Sequence, residues 1–291
     1  MTLDVIKHHR WWFAISSTLV IISLISIFTK GFNFGIDYTG GTIVEVVFDQ
    51  PVEVSQVRDV LKEYNLENAQ IQLSGDTTGD TAGEDVMIRT RNLESSESAA
   101  VVDSLTKSIG NNTVKRIETV GAVIGSEVTE HALLNLVTAL ALYISYRFEY
   151  KVAISALVAI FHDLIMVLGV FSYFQLEIDA SFLAAILTVV GYSMNESVVI
   201  FDRVRENTHT HKRSDTFADL ANASITQSIH RSFYTLATVM FACVSLYLFG
   251  GDTTKNFALC MIIGFASGAY SSICVATSLW VMWKSRNKND V

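Results

Sequence analysis

The sequence predicts a polytopic α-helical membrane protein with six transmembrane helices and one α+β ferredoxin-like domain outside the bilayer. Three observations predict it. Half of the 291 residues are hydrophobic and only 17% are charged, at a mean hydropathy of +0.37, whereas ordinary globular domains carry about 25% charged residues. The apolar residues collect in runs long enough to cross roughly 30 Å of hydrocarbon. One run lies near the N-terminus and five follow residue 129. Between them, residues 30–125 are polar and alternate between strand and helix periodicity.

The first span covers Trp11 to Phe28 and follows the basic cluster Lys7, His8, His9, Arg10. A secretory signal peptide begins in the same way. No A-x-A-like cleavage site follows, and the chain runs on through Lys30-Gly31-Phe32-Asn33, so the segment reads as an uncleaved anchor. The other spans fall near 129–146, 152–174, 180–201, 230–250 and 257–283. The organisation is therefore 1–29 as N-terminus and first helix, 30–125 as the separate domain, and 126–291 as a five-helix bundle. With the N-terminus in the cytoplasm, the inner segments hold 11 Lys and Arg, while the two short outer loops hold only Lys255. The positive-inside rule then places both termini in the cytoplasm and residues 30–125 outside.

The separate domain carries 8 basic and 15 acidic residues, a net of −7, and has neither histidine nor cysteine. Thr42 to Phe48 is rich in β-branched residues and reads as a strand. Val54, Val57, Leu61 and Tyr64 recur at helical spacing. Ala69 to Leu73 and the stretch around Val86 and Ile88 read as strands, with Ser74 to Gly83 as a loop between them. Val102, Leu105 and Ile109 mark a second helix capped by Ser95, and Val114 and Ile117 a last strand. The order βαββαβ is that of a ferredoxin-like module.

The formal charge of −8 argues against nucleic acid as a partner. Cys243, Cys260 and Cys274 lie in apolar runs, which suits helix packing and gives no disulfide framework or metal site. There is no H-E-x-x-H and no G-x-S-x-G, so no hydrolase signature is present and the chain reads as a non-enzyme.

Function is expected where ionisable side chains enter the spans, because each costs at least ~2.5–3.5 kcal/mol to insert. Asp163 lies in the middle of the third span beside His162, Glu196 in the fourth span, and Arg231 in the first turns of the fifth. The fourth and fifth spans run in opposite directions, so Glu196 and Arg231 fall at similar depth and are expected to pair or to share a hydrated path. Asn195, Ser197 and His162 are the supporting polar neighbours. The plainer readings are that Arg231 snorkels to the surface and that His162 only satisfies Asp163. In the sixth span Gly264, Gly268, Ser272 and Ala276 repeat every fourth residue, a small-residue stripe suited to helix contact.

Seven segments in this order resemble the SecF subunits of bacterial SecD–SecF complexes, within the resistance–nodulation–division superfamily. They are Gly35 to Gly41 (GIDYTGG), Gly121 to Glu127, Arg147 to Tyr150, His162-Asp163, Gly191 to Asn207 (GYSMNESVVIFDRVREN), Gln227 to Arg231, and Gly268 to Ser272. Asp37, Gly40 and Gly41 carry the motif after the first helix. The resemblance implies an accessory subunit of the Sec translocase in the bacterial inner membrane, with residues 30–125 in the periplasm. It implies a SecD-like partner, the SecYEG channel, YajC, a preprotein substrate and surrounding lipid. It implies a gradient of protons or sodium as the driving force, with no other cofactor. Glu196 stands where the family has an aspartate for the coupling ion, and Arg231 matches the family's arginine. The chain departs from the family pattern in having Ala122 after Gly121 in place of proline, and Ala269 after Gly268 in place of threonine. The competing readings are half of a small-molecule exporter of the same superfamily and a membrane-anchored scaffold.

Overall fold

Four strands form where aliphatic and β-branched residues alternate with polar ones: β1 (Gly41–Phe48), β2 (Gln70–Gly75), β3 (Glu84–Thr90) and β4 (Asn112–Val120). They belong to a computed structural model that describes residues 4–75, 84–120, 138, 150–209 and 216–286. The chain divides into two compact units, Phe34–Leu133 and the pair Met1–Asn33 with Leu134–Val291.

In the α+β unit the strands lie in the order β2-β3-β1-β4, and every neighbouring pair is antiparallel. Helix α2 (Val54–Lys62) links β1 to β2, and α3 (Ser95–Ser108) links β3 to β4. Val44, Val46 and Phe48 of β1 bury their side chains with Val57 and Leu61 of α2 and Val101 and Leu105 of α3, so one layer of helices covers one face of the sheet. α2 starts at a capping box between Glu53 and Gln56. Ser95 is not the cap of α3. Glu94 holds that position, because its carbonyl already accepts from the amides of Glu97 and Ser98, and Ser95 becomes the first helical residue.

A single helical turn, Ile36–Thr39, precedes β1 and ends at Gly40 with φ +69°. Gly41 follows at φ +133°, and a Cβ there would meet the Thr90 carbonyl oxygen at 2.3 Å. Both glycines of the motif therefore answer to backbone geometry: positive φ at each, and close approach to β3 at Gly41. Asp37 lies in the turn itself, partly buried.

The helical unit holds α1 (His9–Lys30), α4 (Tyr150–Phe174), α5 (Ala180–Thr208), α6 (Phe217–Phe249), α7 (Asp252–Tyr270), a π-helical segment (Ser271–Ala276) and α8 (Thr277–Arg286). Among the described residues five helical stretches are long and apolar enough to cross a membrane. The predicted span 129–146 lies outside the described residues apart from Thr138, which is helical. The predicted segments 121–127 and 147–149, and most of the predicted loop 74–83, lie outside them too. The fifth predicted span begins earlier than hydropathy suggests. Thr216 and Asp219 form a capping box that starts α6 at Phe217, and the helix then buries Leu220, Ala221, Ser224 and Ile225 before its apolar run.

Small residues set the packing. Gly169 of α4 lies so close to α1 that a Cβ would meet Ser23 at 2.2 Å, and one turn on, the hydroxyls of Ser26 and Ser172 are 3.1 Å apart. α7 lies against α5 and α6, and the π segment lies against α4 and α5. α6 keeps Phe233, Tyr234, Phe241, Leu248 and Phe249 exposed, and α1 exposes Trp11, Ile21, Ile22, Ile25 and Phe28. Apolar surface on this scale suits lipid or another membrane helix.

Candidate functional site

Asp163 sits in the middle of α4 and is 1% exposed. A carboxylate buried to this degree needs donors for its lone pairs. Four reach it. Ser267 of α7 donates to Oδ1 at 2.6 Å, and the Nδ1–H of His162 lies 3.1 Å from the same oxygen. Ser193 of α5 donates to Oδ2 at 2.7 Å, and Ser271 of the π segment donates to it at 2.8 Å. Since a carboxylate only accepts, Nδ1 must carry the proton in this pair. Three elements besides α4 converge on one side chain, and three hydroxyls and one imidazole satisfy it with no Lys or Arg beside it among the described residues.

The π segment explains part of this convergence. Thr277 Oγ1 donates to the Ser272 carbonyl five residues back at 2.8 Å, which marks the widened turn. The widening brings Ser271 to Asp163 while Ser272 faces α5, where its Oγ is 2.9 Å from that of Ser197 and also donates to the Ser193 carbonyl. π-bulges occur often at functional positions in helices. The stripe that continues N-terminally from Ser272 meets α5 as well. A Cβ on Gly264 would come within 2.2 Å of Val189, and one on Gly268 within 3.1 Å of the Ser193 Cβ.

Glu196 lies one turn further along α5 from Ser193 and is 3% exposed. Thr235 of α6 donates to its Oε1 at 3.0 Å, and Oε2 has no hydrogen-bond partner among the described residues. Glu196 and Arg231 are expected to pair or to share a hydrated path, and the first of these is not what this chain shows. Among the described residues no ion pair joins the two, and Arg231 is exposed. Arg231 precedes Thr235 by four residues, one turn away on the same helix face; its carbonyl accepts the Thr235 hydroxyl at 2.8 Å, and it is Thr235 that lies level with Glu196. Thr235, which sequence reasoning passed over, occupies the place expected of Arg231. Asn195 is exposed, unlike its buried neighbours Glu196 and Ser197.

Sequence reading brought out His162 and Asp163 as a pair, took Ser193 beside Glu196 as a residue for close packing or local hydration, and missed Ser267 and Ser271. A signal was present. Ser193 lies within Gly191 to Asn207 and Ser271 within Gly268 to Ser272, two of the segments that carry the family resemblance.

The fold and this buried polar cluster define a class: a polytopic helical membrane protein with carboxylates held inside the bundle and an α+β unit inserted after its first helix. Residues 100–286 match the family described as protein export membrane protein SecD/SecF, C-terminal, and residues 25–52 match the SecD/SecF GG motif. A protein translocase subunit SecF from Acidaminococcus fermentans is 43% identical over 288 residues, covering 98% of this chain and 98% of its own. The SecF of Escherichia coli O157:H7 is 35% identical over 95% of this chain and 86% of its own. The chain belongs to the SecD/SecF family, on the SecF side. Among solved structures a SecDF from Thermus, described as a translocon-associated membrane protein, is similar at a TM-score of 0.86 and 32% identity over 98% of this chain. This chain spans only 39% of that SecDF chain. A SecDF in a super-membrane-facing form matches at a TM-score of 0.68.

Proposed function

We propose that this chain works with a SecD-like subunit to turn an ion gradient, of protons or sodium, into late-stage export of preproteins across the bacterial inner membrane. The observation that carries the reading is the pair of buried carboxylates. Asp163 and Glu196 are buried inside helices of membrane-crossing length, and no Lys or Arg pairs with either among the described residues. Holding two carboxylates in such a place is costly for a passive anchor and useful for a carrier of ions. Glu196 has an oxygen available for an ion, and Asp163 has a shell of hydroxyls that can turn to accommodate one.

The partner follows from the same logic. Ion sites in such transporters lie between two repeats, and this chain spans less than half of the solved SecDF chain it resembles. The exposed Arg231, one turn from the Thr235 that bonds Glu196, and the exposed Asn195 beside Glu196 then belong to the face that meets the SecD-like half. SecYEG, YajC, the preprotein and lipid complete the assembly. N- and C-termini lie in the cytoplasm, with residues 30–125 as a periplasmic, ferredoxin-like domain. The all-antiparallel order β2-β3-β1-β4, with both crossovers split by an intervening strand, supports that domain assignment.

The test is export completion in inverted membrane vesicles containing the partner, under an imposed gradient, for wild type and Glu196→Gln. A variant that assembles normally yet loses gradient-dependent export supports the reading. Wild-type behaviour of the variant removes Glu196 from the coupling site.

A further inference from the structure

We propose that His162 relays protons between Asp163 and a crevice that opens between α1, α4 and the π segment. The proposal rests on the ion-coupling reading of Asp163 and deepens it, because it assigns the proton as the ion that reaches this carboxylate.

Two independent observations carry it. The first is the crevice, of about 520 Å³, whose walls include Phe13, Ser16, Ser17, Val158, Leu279 and His162. Most of the lining is apolar, but α1 sets two hydroxyls into it. Ser16 is 3.0 Å from the Tyr270 hydroxyl, which donates in turn to the Trp12 carbonyl. The second observation is the imidazole itself. His162 is 7% exposed, its Nδ1 faces Asp163, and its Nε2 has no hydrogen-bond partner among the described residues. His162 thus lines the crevice while its Nδ1 is committed to Asp163, and its Nε2 is buried without a hydrogen-bond partner among the described residues.

An acyl chain in the crevice offers nothing to Nε2. Water does, and the space far exceeds what a few waters need, with Ser16, Ser17 and Nε2 as polar partners. The other titratable groups nearby are few. Asp163 is on the same helix, Tyr270 of α7 has its ring 6.1 Å from the imidazole, and Cys274 lies in the π segment. α1 lines the crevice with Phe13, Ser16, Ser17 and Val20, none of them charged.

The transfer balances. A hydronium ion in the crevice gives a proton to the Nε2 lone pair, and an N–H bond forms there. The Nδ1–H bond breaks, and its proton passes to Oδ1 of Asp163. One proton has moved from crevice water to the carboxylate, and the imidazole remains neutral in its other tautomer. The reverse pair of transfers restores Nδ1–H.

The experiment uses the complex with its SecD-like partner in inverted vesicles. In a background with Cys243, Cys260 and Cys274 replaced by alanine, Ser17→Cys is treated with a small charged methanethiosulfonate. Modification at a rate comparable with a loop cysteine is expected, and an inert thiol overturns the water-filled crevice. In parallel, gradient-driven export is measured for His162→Gln, whose amide retains a donor for Asp163, and for His162→Ala with and without added imidazole. Loss of the gradient response in both variants is expected, with restoration of the alanine variant by imidazole. A glutamine variant with a wild-type response, or an assembled alanine variant that imidazole does not restore, overturns the relay. If Asp163→Asn retains the response while Ser17→Cys is modified, the coupling reading fails and the crevice stands. If Asp163→Asn loses it and His162→Gln does not, the relay alone fails.

Discussion

Ser271 donates its hydroxyl to Oδ2 of Asp163 from the first residue of the π segment, so a widened helical turn and a buried carboxylate are parts of one arrangement. Ser193 reaches the same oxygen from α5. Ser271→Ala removes one of four donors and leaves the carboxylate in place. Loss of a buried donor to such a group costs about 1–3 kcal/mol. The thermal midpoint of the detergent-solubilised complex should fall accordingly, and Ser193→Ala should act alike. Because both serve one atom, the double variant should depart from additivity. Strict additivity would mean that the two hydroxyls do not share Asp163.

Gly264 and Val189 provide a second test, this time of packing. The site for a Cβ on Gly264 is 2.2 Å from Val189 Cγ2, so Gly264→Ala must push α7 away from α5. Overpacking of this kind costs about 1–3 kcal/mol. Val189→Ala should recover part of that loss in the double variant, although it destabilises the wild type. If Val189→Ala gives no recovery, α7 and α5 do not approach each other at this pair.

The contrast between Thr235 and Arg231 gives the third. Thr235→Val withdraws the hydroxyl from Glu196 Oε1 while preserving side-chain shape. Gradient-driven export should fall, though less than for Glu196→Gln, which removes the charge itself. Arg231 is exposed, so Arg231→Ala should leave the melting temperature of the isolated chain within the spread of surface substitutions, about 0.5 kcal/mol. Melting in the complex with the SecD-like partner should respond more strongly if Arg231 meets that partner. Equal, large losses in both preparations would place Arg231 in a structural role within this chain.

These residues show why some of the molecule was legible and some was not. Val44, Val46 and Phe48, and Val57 and Leu61, declare their elements by period alone, since one face of each is buried. Asp163 declares itself by being ionisable inside an apolar run. Its donors do not. Ser193, Ser267 and Ser271 are small, ordinary in membrane helices, and scattered over 104 to 108 residues or 30 from Asp163 in sequence. Only the crossing of α4, α5 and α7 brings them together. The pairing of Glu196 with Arg231 failed for a related reason. Opposite charges at roughly similar depth suggested a contact, but Thr235, one turn further along the same face of α6, is the residue level with Glu196. Ser95 failed as a cap because the neighbouring Glu94 carbonyl starts the helix one residue earlier than composition indicates.

The α+β unit supplies a prediction in pH. Asp85 of β3 has its pKa raised from the ordinary 3.8, chiefly by burial, and further by the nearby charge of Glu45, against the opposing hydrogen bond from Lys115. Lys115 bridges the two carboxylates, at 2.7 Å from Asp85 and 2.9 Å from Glu45. A carboxyl whose folded pKa is raised contributes stability that is fully present below its unfolded value. That contribution is lost as pH rises through the folded value. Asp85→Asn cannot ionise and escapes the loss. The stability of the variant relative to wild type should therefore increase from below pH 3.8 towards neutrality. Hydrogen exchange at the β1 and β3 amides, corrected for intrinsic rates at each pH, reads this locally, because Asp85 pairs with Val47 across those strands. A relative stability that instead declines towards neutral pH would show that the Lys115 bridge outweighs burial at Asp85.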